Sequence, residues 1–148
     1  MPPEELTPDQ VLRAVAGLEA AWADDDDALA ALVRGGHGEQ PLAVLIAEFG
    51  ASRLQTMVLI VAGIPNMDGA DRQEALAELR EGVIAHMTTV ALSMMSGWAL
   101  SAGDDVQATG DLARHVLQAL LSFTTDGDDP QEVRALFAHL RADALAHS

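Results

Sequence analysis

The sequence predicts an all-α fold, a compact single-domain bundle of six or seven helices, and three observations carry that expectation. The 148-residue chain is 49 % apolar but only 3 % aromatic, with no Tyr. Ala, Leu and Val dominate, and Ala and Leu are strong helix formers, whereas strands favour aromatic and β-branched side chains. Helix-start signals recur, and apolar residues return at helical spacing behind them.

The first start is Thr7-Pro8-Asp9-Gln10, an N-cap, a proline at the first helical position and a glutamine three residues on, which together form a capping box. Behind it Val11, Val15, Leu18 and Trp22 form a stripe, with Leu12 beside it. Asp24 to Asp27 interrupt the pattern as a solvated loop able to cap a short second helix, Ala28 to Arg34. Gly35-Gly36 and His37-Gly38 end that helix. Pro41 opens a third segment, Leu42 to Phe49. Gly50 divides it from Ala51–Ile64, whose second half, Met57 to Ile64, is apolar on every side and so reads as buried. Residues 41–64 are therefore the expected hydrophobic centre.

Pro65 to Gly69 is a turn. A cap at Asp71-Arg72-Gln73-Glu74 then begins the longest helical pattern, to Ser101, with Gly82 and Gly97 as places to kink or break. Asp104-Asp105-Val106-Gln107 starts a sixth helix through Val116, Leu117, Leu120 and Leu121, with Gly110 a weak point. Asp129-Pro130-Gln131-Glu132 starts the last, carrying Val133, Leu136, Phe137, Leu140 and Leu145. No internal repeat or linker divides the chain, and Met1 to Leu6 reads as a flexible lead-in.

Composition excludes several functions. All eight basic residues are Arg and the formal charge is −15, so phosphate backbones are repelled and nucleic acid is not an expected partner. The chain has no cysteine, which removes thiol nucleophiles, thiolate metal sites and disulfides. The acidic, Pro-containing N-terminus has neither the basic nor the apolar region of a signal peptide, so the expected compartment is the cytoplasm. Residues 83–103 carry no formal charge and have about the ~20 residues a span needs. They also hold His86, Thr88, Thr89, Ser93, Ser96 and Ser101, and no basic cluster flanks them, so no membrane span is expected.

The helix around Met87 is the most informative. At about 100° per residue, Val83, Ile84, Met87, Val90, Ala91, Met94, Met95 and Trp98 fall on one broad, bulky side, which should be buried. Gly82, Ala85, Thr89, Ser93 and Ser96 fall on a narrow stripe of small residues opposite, bounded by Leu92 and Leu100. The stripe continues backwards as Asp71, Glu74 and Glu78, so a charged face turns into an uncharged one, where a surface helix would stay charged. Small residues admit a close neighbour: a second internal helix, another subunit, or a ligand.

Candidate chemistry is sparse. Asp111/His115 and His139/Asp143 stand four apart, as half of a metal site or an oriented acid–base pair would, but no His-Glu-x-x-His pattern joins them, and helix pairs of this spacing equally stabilise a surface. His86 sits among apolar residues and, if buried, needs a partner from elsewhere, with Thr89 the available side chain on its own helix. Asp126 to Asp129 with Glu132 departs from the EF-hand pattern at Pro130. Gly35-Gly36-His37-Gly38 lacks the Lys of a phosphate loop, and no nucleophile elbow is present. No catalytic residue, metal ligand or cofactor is therefore assigned. The leading expectation is a non-enzymatic module that self-associates, as a homodimer or larger homo-oligomer, or binds a protein partner through the helix over 71–101, with Gly82, Ala85, Thr89, Ser93 and Ser96 at the interface. The alternatives are a small apolar ligand in a pocket lined by His86, Met94 and Trp98, and a metal-dependent enzyme using His and Asp ligands.

Overall fold

The computed structural model describes residues 6–34, 40–122 and 130–146. They form seven α-helices and no strand: α1 Pro8–Trp22, α2 Asp26–Arg34, α3 Leu42–Val61, α4 Gly69–Glu81, α5 Val83–Ala102, α6 Val106–Leu121 and α7 Pro130–Ala146, with a 3₁₀ turn at Ile64–Asn66 between α3 and α4. This is the all-α bundle the composition predicts.

The chain starts as its first cap dictates. The Thr7 hydroxyl accepts from the Gln10 amide at 3.2 Å and the Gln10 side chain accepts from the Thr7 amide at 2.9 Å. With Pro8 lacking an N–H, two of the three donors this helix N-terminus leaves unpaired are thereby satisfied. At α2 it is Asp25 that caps, accepting from Ala28 at 3.1 Å. At α6 the cap is Asp105, bonded to the Ala108 amide at 2.9 Å, one residue later than the Asp104–Gln107 spacing suggests. α4 begins at Gly69 with Asp68 before it, so Asp71 belongs to the first turn and is not the cap. α7 begins at Pro130 as expected; its cap at Asp129, the 126–129 acidic loop, the glycine loop from Gly35, and Met1 to Glu5 lie outside the described residues.

The core is built where α3 crosses α1 and α6. Leu42, Leu45, Ile46 and Phe49 of α3 meet Val15 and Leu18 of α1 and Leu112, Val116, Leu117 and Leu120 of α6. α3 passes through Gly50 without a break, correcting the division expected there. Gly50 is a crossing point: a Cβ added to it would lie 2.7 Å from Cγ1 of Val116, so the missing side chain sets how near α3 comes to α6. Gly110 serves the same purpose, with Leu29 Cδ2 at 3.0 Å from its would-be Cβ. The weak point in α6 is thus a contact with α2.

α7 closes the bundle with Val133, Phe137 and Leu140. Arg53 of α3 binds Asp143 of α7 at 2.5 Å and lies over the Phe49 ring, while Arg141 of α7 pairs with Glu19 of α1. Arg13 of α1 donates to the Leu32 carbonyl in the last turn of α2 at 2.8 Å and to the Gln40 carbonyl just before α3 at 3.0 Å, a cation satisfying a helix C-terminal acceptor and tying the two segments to α1.

Beyond Gly50 the packing thins. α4 contains no buried residue. The second half of α3, expected to be buried on all sides, is only half-buried at Met57, Val58 and Leu59 and is exposed at Ile60. Its end is set by Gly63 at φ 75°, a left-handed position that glycine adopts without strain. The long pattern from Asp71 divides at Gly82, whose extended backbone separates α4 from α5, and the two axes differ by 60°. Trp22, placed on the buried stripe of α1 by spacing, is also exposed. By length and composition alone, Leu42–Ile60 is apolar enough to cross a membrane, but residues 42–50 of it are the part sealed in the core.

Candidate functional site

α5 carries twenty residues without a formal charge, from Val83 to Ala102. Its inward side is Ala85, Thr88, Leu92, Met95, Ala99 and Ala102, alternately three and four residues apart, as a packed helix seam requires. Ala99 and Ala102 are the buried members, and their small side chains bring the end of α5 close to the core. Met95 and Trp98 pack on that core from its margin.

This places the buried side about a quarter turn from where the bulky residues predict it. Met87 is 66 % exposed, Val90 58 % and Met94 70 %, and Ala91 is open as well. The expectation that the bulky side is buried is therefore corrected. Of that side, Met95 and Trp98 alone among the residues with described side chains touch the core. The small stripe is split by the same rotation. Ala85 turns inward, Gly82 precedes the helix as its N-cap, and Thr89, Ser93 and Ser96 are exposed. No described helix covers those three positions.

The two misfits lie on either side of one outward surface. A ridge of Val90, Met94 and Met87 runs along one flank. Thr89, Ser93, Ser96 and the exposed Leu100 run along the other, with His86 and Gly97 between them. A Cβ on Gly97 would meet nothing within 4 Å, so the middle of the surface is open and shallow. The Thr89 hydroxyl donates to its own helix at Ala85.

His86, Met94 and Trp98 do not converge on a pocket. His86 and Trp98 are twelve residues apart along one helix, about 18 Å. His86 is exposed and its Nδ1 pairs with the Gly82 carbonyl at 3.0 Å, so its partner comes from the helix N-cap and not from a distant element. Trp98 meets the His115 ring instead, centroids 4.9 Å apart.

The histidine–aspartate pairs separate in the same way. The Asp111 carboxylate binds Arg114 at 3.1 Å, and His115 Nδ1 donates to the Asp111 backbone carbonyl at 2.7 Å. Asp143 is held by Arg53. Among the described residues no three His, Asp or Glu side chains gather where one ion could be held. A cleft of about 400 Å³ between α2 and α6 is lined by Asp26, Leu29, Val106, Gln107, Gly110, Asp111 and Arg114. Its one cation is engaged, since Arg114 also binds Asp24 at 3.1 Å and the Ala21 carbonyl at 3.3 Å.

Spacing picked out Glu78, where the small stripe turns charged, but not the other charges that bracket the α5 surface. Exposed Glu78 and Glu81 stand before its N-terminus, and exposed Asp104 and Asp105 follow its C-terminus. The signal was present as the uncharged run between Glu81 and Asp104. Comparison of the chain with protein-family models, curated proteins and solved structures finds no match.

Proposed function

We propose that this chain is a non-enzymatic protein-interaction module whose docking surface is the outward face of α5. One observation carries the reading. On a chain of formal charge −15, a helix with no charged residue turns the row Met87, Val90 and Met94 to solvent. Single exposed apolar residues are ordinary, but a contiguous row of them on a soluble domain marks a contact surface. The row is flanked by Thr89, Ser93 and Ser96, small enough to let a partner backbone come close. A pocket for an apolar ligand and a His/Asp metal site have less support, because their residues lie apart or are paired elsewhere.

The absence of cysteine gives a clean test. A photo-activatable crosslinker on Ser93→Cys should trap a second polypeptide in cells producing the chain, whereas the same probe on Gln131→Cys, exposed on α7, should trap none. An environment-sensitive apolar dye should bind the wild-type chain and bind the Met87→Glu/Met94→Glu variant several-fold more weakly, with helical content unchanged by circular dichroism. Equal trapping at both positions, or equal dye binding, would remove the reading.

A further inference from the structure

We propose that the occupant of the α5 surface is an amphipathic helix with an apolar stripe and basic residues at both ends; the assignment rests on the docking role of that surface. α5 has twenty residues and is therefore about 30 Å long, the length of one partner helix laid along it. The outward side offers such a helix an apolar ridge, Val90, Met94 and Met87, beside the low stripe Thr89, Ser93 and Ser96. Ridge beside groove is the form in which helices pack.

Charge decides between occupants. Nothing from residue 82 to 103 is charged, so the middle of the contact asks for apolar side chains. Both ends carry a net negative charge, with exposed Glu78 and Glu81 outnumbering exposed Arg80 at one and exposed Asp104 and Asp105 at the other. A second copy laid along α5 would bring net negative charge against net negative charge at both ends, parallel or antiparallel, even with Arg80 counted. A helix with Lys or Arg in its terminal turns would find opposite charge at both. Repulsion of that kind selects against the wrong partner, and attraction speeds encounter with the right one. An anionic lipid surface meets the same carboxylates and is repelled.

The side chains on this surface fit an adaptable contact. The chain has six methionines, and apart from Met1 they all fall between residues 57 and 95. The core built from α1, α6 and α7 contains none. Methionine, unbranched and polarisable, repacks against differing apolar partners more readily than the leucines and valines of the core.

The test is titration of the intact chain with a synthetic helix of about 20 residues, leucines at i, i+3, i+4 and i+7 and lysines confined to its terminal turns. Two controls have the same length: one with the leucines scattered around the helix, one with glutamates in place of the lysines. The lysine-ended peptide should bind, shift the methyl resonances of Met87 and Met94 more than that of Met95, and weaken as salt is added. Met94→Glu, or Glu78→Lys with Glu81→Lys, should each weaken it about tenfold or more, with the fold unchanged by circular dichroism. Equal binding of either control, or indifference to these substitutions, would overturn the proposal. So would a self-assembled chain that Met94→Glu dissociates and that takes up no peptide, or uptake onto phosphatidylcholine vesicles. Those two results would leave a docking surface on α5 with a different occupant, whereas failure of the Ser93 crosslink and of dye binding would remove the surface itself.

Discussion

α5 and α6 follow one another in the chain and differ in a way composition does not predict. α5 has no charged residue, yet Ala99 and Ala102 are its only residues buried among those with described side chains. α6 carries Asp111 and Arg114, yet buries Thr109, Gly110, Leu112, Ala113, Val116, Leu117, Leu120 and Leu121. The more apolar helix is the less buried. What separates them is arrangement: α6 gathers its large side chains on the side facing α1 and α3, leaving its charges at the rim. Of its described side chains α5 buries only alanines, holds Leu92, Met95 and Trp98 at the margin, and leaves Met87, Val90, Met94 and Leu100 out. Helices are buried by the side they present to a neighbour, and total hydrophobicity does not choose that side.

The contrast can be broken by substitution. Leu117→Ala should cost about 2–5 kcal/mol in urea unfolding, because a cavity opens at a fully packed position. The two interior glycines should then respond with opposite sign. Gly50→Ala should destabilise by about 1–3 kcal/mol, since the new methyl lands against Val116. Gly97→Ala should stabilise by up to about 1 kcal/mol, because the methyl meets open space and alanine prefers the helix. If both glycine variants destabilise alike, the outward surface of α5 is not open. Thr7→Ala should cost about 1 kcal/mol through loss of the capping box. The smallest effect belongs to Met94→Ala, within about 0.5 kcal/mol for an exposed side chain. A loss of core size at Met94 would show that this flank is packed after all.

The local parts of the fold were readable from residues because their causes are local. Thr7, Pro8 and Gln10 satisfy their own helix terminus, and Pro130 opens α7 through its fixed φ. The errors arise where a distant element decides. Gly50 reads as a helix breaker until Val116 is brought against it by α6. Met57 to Ile64 reads as buried because it is apolar all round, but no described helix covers Ile60. In α5, spacing separates a bulky side from a small stripe correctly, yet nothing within the helix says that the Ala85–Ala102 seam between them meets the core. The candidate site was legible as a surface that changes character, from the carboxylates of α4 to the uncharged run after Glu81. Its orientation was not legible, because the position of α3 and α6 sets it.

Placing every methionine after the first between residues 57 and 95 has a chemical outcome as well. A thioether takes one oxygen atom from hydrogen peroxide, leaving water and a polar sulfoxide. Met87 and Met94, the most open of them with described exposures, would be converted first, turning an oily ridge into one that prefers water. Leucine, valine and phenylalanine in α1, α6 and α7 are inert to that reagent. Mild oxidation would therefore make the proposed contact surface polar while the bundle stays folded, and a sulfoxide reductase would restore it.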